Sequence, residues 1–143
     1  MTVSEAYAYL NSIRKIENEI VKLQLQHDEL QSCLLPKAIT YDGDRVQTSP
    51  EDKMSELAGK VVDMEKQIAQ LRLRKAQLIV DINAAICMLD NDVEQVILLG
   101  FYVGRLPATK IAEIVHYSVP GIYKIKRRAV VHLAEKCTQS IGV

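Results

Sequence analysis

Four cations, Lys124, Lys126, Arg127 and Arg128, crowd the run 124–128, directly behind the turn-forming stretch HYSVPG. Ammonium and guanidinium groups set this closely along one helix can neutralise consecutive phosphates and displace their counterions. Residues at the front of such a helix reach base edges in a major groove. Here that set is Ser118, Val119, Gly121 and Tyr123, with Lys124 beside them. Lys126, Arg127 and Arg128 lie farther along and suit backbone phosphates, with Lys110 joining from the preceding helix. The chemistry on offer is binding of a polyanion. The plain alternative is a solvated basic face without a partner.

No other constellation competes. His27, His116 and His132 stand in three separate contexts, without Glu or Cys at ligand spacing, so no metal site is expected. Asp42-Gly43-Asp44 lacks the later ligands of a calcium loop. A glycine-rich phosphate loop is absent, so neither a cofactor nor an enzymatic activity is expected.

The formal net charge is zero, which argues against a nucleic-acid partner until the charges are mapped. Residues 104–143 hold 7 basic and 2 acidic side chains, a local +5, and the remainder is −5. An asymmetry of this kind marks a polyanion-facing end.

Three short helices must position these cations. Asp90 or Asn91 can cap the first, in which Val93, Val96, Ile97, Leu99 or Gly100, and Phe101 recur at helical spacing before Gly104 ends it. Pro107 fits the first turn of a second helix reaching Val115, with Ile111, Ala112 and Val115 facing inward. His116, Tyr117 and Ser118 turn the chain, and Ser118 caps a third helix lined by Ile122, Ile125, Ala129 and Leu133. Two helices crossing at about 90–120° need a small residue at the crossing, here Ala112, and apolar inner faces. Tyr117 is counted with those inner residues.

Upstream, Ile13, Ile16, Ile20, Leu23, Leu30 and Leu34 keep one heptad register, interrupted by His27. Leu57, Val61, Met64, Ile68, Leu71, Leu78, Ile82, Ala85 and Leu89 keep another, interrupted by Lys75. Sustained heptads predict coiled-coil helices about 45–60 Å long. Between them, LPKAITYDGDRVQTSP (35–50) must turn the chain, and Ser49 with Pro50 makes a helix start. This loop is either a tip holding the helix ends or a docking point for a partner. The expected fold is therefore all-α: a long antiparallel coiled-coil helical hairpin (1–90), then a small C-terminal helix-turn-helix domain (91–143). Val21, Leu25, Val62, Leu73, Ile79, Val80 and Ile86 fall outside the main seam; they either widen the intrachain contact or form a second seam with another copy, and the second, a homo-oligomer, is favoured. Cys33, Cys87 and Cys137 have no motif spacing and read as reduced, mostly buried thiols. Without a signal peptide or an apolar run of roughly 20 residues, a cytoplasmic location and no membrane partner are expected.

The stretch LGFYVGRLPATKIAEIVHYSVPGIYKIKRRAVVHL resembles region four, the last DNA-binding region, of sigma-seventy-type transcription initiation factors. In layout, residues 7–135 are similar to small sigma-like regulators of phages and prophages of Gram-positive bacteria, the ArpU-type group among them. Those carry a loop like YDGDRVQTSPEDKM ahead of a helix-turn-helix ending like IYKIKRRAVVHL. The resemblance implies transcriptional regulation by sequence-specific binding of double-stranded DNA in a bacterial host cell, with RNA polymerase as a second partner to test. It assigns Ile111-Ala112 to the positioning helix, Ser118 to the cap, and Tyr123, Lys124, Arg127 and Arg128 to the DNA-facing side. His116 stands where the group usually has glycine, and Pro120-Gly121 is an unusual start to a recognition helix. Two further readings stay open: a small terminase-like DNA-packaging subunit, and a structural coiled-coil adaptor whose C-terminal helices bind protein.

Overall fold

The structure is a computed structural model that describes residues 1–35 and 50–141. The chain is all-α, with α1 (Val3–Leu34), α2 (Pro50–Ile86), α3 (Asp92–Leu98), a π-helical segment (Leu99–Val103), α4 (Ala108–Val115) and α5 (Val119–Ile141). The interior of the 35–50 loop and the Ser49 cap lie outside the described residues. No helix among the described residues is long and apolar enough to cross a membrane.

Two compact units divide the chain: Met1–Ile16 with Lys75–Val143, and Glu17–Arg74. The start of α1 and the end of α2 thus belong to the same unit as the C-terminal helices. The cause is burial. Ala6, Leu10 and Ile13 of α1 and Ile82 and Ile86 of α2 share one core with Leu98, Ala129, Val130 and Leu133. Ile86, read as lying outside the seam, is fully buried there, because α3 and α5 supply a second apolar neighbour. A second cluster joins Ile97, Ile111, Ile122 and Ile125, flanked by Val93, Phe101, Leu106, Ala112 and Val115. Burying each such isoleucine contributes about 1.5–3 kcal/mol.

In the Glu17–Arg74 unit the heptad positions are the least exposed. Val61 and Ile68 are buried, with Ile20, Leu23, Leu30, Leu57, Met64 and Leu71 half-buried, whereas Val21, Leu25, Val62 and Leu73 are exposed. His27 meets Glu65, and Gln24 meets Arg72, so numbers rise along one helix as they fall along the other. The thiols depart from expectation: Cys33 and Cys87 are exposed and Cys137 half-exposed. Cys33 falls off the buried face of α1, and Cys87 follows the end of α2.

His27 is a buried polar group with both ring nitrogens satisfied. Nδ1 lies 3.0 Å from Asp28 Oδ1 and Nε2 3.0 Å from Glu65 Oε2. Hydrogen bonds to Asp28 and then Glu65 raise the imidazole above its ordinary pKa, against an opposing desolvation. Asp28 is held low, chiefly by His27 and then by Gln24. A raised histidine stabilises the fold fully below its unfolded value of about 6.5, and that contribution is lost as pH climbs through the folded value. The lowered Asp28 contributes above about 3.9 and loses its share as pH falls through its own depressed value. Amide protection along residues 20–34, corrected for intrinsic exchange, is therefore expected to fall as pH rises above about 6.5. His27→Leu should abolish that dependence; an unchanged pH profile in the variant would show that His27 is not the titrating group.

Candidate nucleic-acid interface

Asn91 starts α3, its Oδ1 accepting from the N–H groups of Val93 (2.8 Å) and Glu94 (3.1 Å). Of the two candidate caps, the structure uses Asn91. The following turn widens into the π segment, in which the Gly104 N–H donates to Leu99 O at 2.8 Å. Gly100 permits a close approach to α4, since a Cβ there would lie 3.0 Å from Ile111 Cγ1 and Cδ1. A π turn holds one more residue than an α turn and so re-aims the side chains within it, here Phe101 and Tyr102. Gly104 closes this helical stretch, as its composition predicts.

Pro107 precedes α4 as its N-cap residue rather than sitting inside its first turn. Its extended backbone, ψ 154°, places it just before the helical residues. His116 ends α4 in the left-handed region at φ 62°, ψ 45°, and its N–H donates to Ala112 O. Glycine adopts this conformation without the Cβ penalty that histidine meets. His116→Gly is expected to raise stability by a few tenths to about 1 kcal/mol, a rise of a few degrees in Tm. A lower Tm would mean that the imidazole makes a contact worth more than the strain.

Ser118 Oγ accepts from the Gly121 N–H at 3.2 Å, which fixes the start of α5. A Cβ on residue 121 would lie 3.1 Å from that same hydroxyl oxygen, so glycine keeps the cap unobstructed. Ile111 and Ile122 are completely buried and Ile125 nearly so, which fixes the inner faces of α4 and α5. Tyr117, expected to face inward, is instead 47% exposed, because the left-handed turn at His116 carries it away from the core.

The basic residues then separate into two groups. Lys124 and Arg127 are exposed one turn apart on α5, beside the half-exposed Tyr123, and no ion pair holds either among the described residues. Lys110 is exposed on α4, 3.9 Å from Glu113 Oε2. Val119 and Gly121 are half-buried and Ser118 exposed at the head of α5.

Arg128 and Lys126 are turned to neighbours within the protein. Arg128 Nε donates to Glu94 Oε1 at 2.9 Å, and His132 Nδ1 lies 2.9 Å from both oxygens of the same carboxylate. Glu94 is 2% exposed, a buried acid on α3 that sequence reasoning passed over. The signal was present: Arg128 and His132, four residues apart, place two complementary groups on one face of α5. Lys126 is half-buried, its Nζ 4.6 Å from the centroid of the Phe101 ring and 5.3 Å from that of Tyr102. Phe101 also packs on Tyr123, centroid to centroid 5.8 Å. Burial, then the like charge of Arg14, lowers the Lys126 pKa.

Among the described residues no group of three His, Cys, Asp or Glu side chains is placed to hold a metal ion. The arrangement can do one thing plainly: offer an exposed cationic and aromatic strip, Tyr123-Lys124-Arg127, on a helix whose opposite face is locked into a core. Comparison of the chain with family models, with curated proteins and with solved structures finds no match.

Proposed function

We propose that the chain is a sequence-specific double-stranded DNA-binding regulator of phage or prophage transcription, acting as a binding protein and not as an enzyme. In this reading α4, the left-handed turn at His116 and α5 are a helix-turn-helix. Ser118, Val119, Gly121 and Tyr123 face base edges, and Lys124 and Arg127 face phosphates. The observation that carries it is the exposed strip on α5, opposite the buried Ile122, Ile125, Ala129 and Leu133. Lys110 adds a backbone contact from α4. The exposed part of Arg128 adds a weaker one, since its Nε is already engaged by Glu94.

The opposite numbering sense of the Gln24–Arg72 and His27–Glu65 contacts supports an antiparallel coiled-coil hairpin for the long helices. Its role in this reading is to join copies of the chain or to dock RNA polymerase. Exposed Leu25, Leu73 and Val80 favour the first of these, because apolar side chains at helical spacing gain by pairing.

Selecting bound duplexes from a random pool, with particle mass measured on the same sample, tests the reading. Enrichment of one motif by a monomer or small oligomer is the expected result. A ring of eight or more copies would move the assignment to DNA packaging. No retention of any duplex at low salt would leave a protein-binding adaptor instead.

A further inference from the structure

Beside Lys126 lies a pocket of about 260 Å³ lined by Tyr7, Asn11, Arg14, Tyr102, Arg105 and Lys126, among others. No carboxylate occurs among the described residues lining it. Two like charges, Arg14 and Lys126, are thus drawn around one small space, and Arg105 lines it while holding an interaction of its own. Three aromatic rings, Phe101, Tyr102 and Tyr123, hold the ammonium in its half-buried place by cation–π attraction. The π segment supplies two of those rings, and Arg105 follows it with a left-handed backbone at φ 56°. Burial, with a smaller push from Tyr7, raises the Tyr102 hydroxyl to about 12 against the pull of Arg14. At neutral pH that hydroxyl keeps its proton and can donate it in a hydrogen bond. Arg14 and Lys126, around a space that no carboxylate lines and next to a neutral donor, are complementary to an oxyanion.

We propose that this pocket seats a phosphate group, gripped by Arg14 and Lys126 and accepting a hydrogen bond from Tyr102. Lys126 then serves this site, separately from the outward strip of Lys124 and Arg127. A free phosphate ester and a duplex backbone carry the same group, and competition separates these sources. The inference stands whether or not the DNA reading does.

The test uses the intact chain and inorganic phosphate, titrated against sodium chloride at matched ionic strength, with side-chain NMR signals of Tyr7, Asn11, Tyr102 and Lys126 as the readout. Saturable shifts at these residues with phosphate, and none with chloride, are expected. Lys126→Met keeps the aliphatic stem over the rings, and Arg14→Gln removes the second charge without touching the rings. Each should weaken phosphate binding about tenfold or more, the loss of one charge-assisted contact, and Lys126→Arg should restore most of it. Displacement of phosphate by a duplex identifies the backbone as the source; phosphate retained alongside a bound duplex identifies a free ester. Saturation by phosphate in a chain that ignores duplexes supports the pocket and removes the DNA reading. Absence of saturable shifts, or full affinity in both variants, overturns the pocket even if a duplex binds elsewhere.

Discussion

Replacing Lys124 and Arg127 together by alanine is expected to weaken binding to every duplex about tenfold to a hundredfold at moderate salt. The reason is geometric. These two cations are exposed one turn apart on α5, with no ion pair competing for them among the described residues. Each phosphate contact releases counterions and contributes about 0.9 to the slope of log affinity against log salt. The double variant should therefore flatten that slope by about 1.8. Arg128→Ala should flatten it less, because the Arg128 Nε is spent on Glu94. Tyr123→Ala should change which sequence is preferred more than the overall affinity. An unaltered salt slope in the Lys124/Arg127 variant would remove both residues from the phosphate contacts and with them the proposed face of α5.

Loss of the buried acid is the second large effect. Glu94→Ala should destabilise the chain by about 2–3 kcal/mol, read from urea unfolding at constant slope. Breaking a fully buried pair costs 3–5 kcal/mol. The lower figure applies because the Arg128 and His132 side chains are 54% and 45% exposed and can turn to water. Arg128→Ala should cost only about 1 kcal/mol, since His132 still faces the carboxylate. DNA affinity separates positioning from charge. Removing an acid makes the chain more positive, so electrostatics alone would tighten duplex binding. The expectation is weaker binding, because Glu94 ties α3 to the helix that carries Lys124 and Arg127. Tighter binding with unchanged stability would show that the tie positions nothing.

The local patterns were legible in the sequence. Heptad spacing located the buried faces of α1 and α2, and the end of α4 and the start of α5 followed from the HYS turn and the Ser118 cap. Side-chain period and capping chemistry depend on residues within one or two turns, and a linear reading holds that information. The C-terminal basic excess was equally plain.

Partner choice was not legible. Periodicity says that Lys124, Lys126, Arg127 and Arg128 share a helix, but not that Arg128 meets Glu94 thirty-four positions away or that Lys126 rests on Phe101 and Tyr102. Those outcomes depend on where α3 and α5 meet and on the wide turn at Leu99–Val103, which carries Phe101 and Tyr102. Ile86 reads as outside the seam because a heptad describes one neighbouring helix, whereas its burial comes from others. By itself the sequence determined the helices, their apolar faces and the location of the positive charge. Only the tertiary structure decided which cations look outward, because a side chain's direction is set by the helices packed around it, and these come from distant parts of the chain.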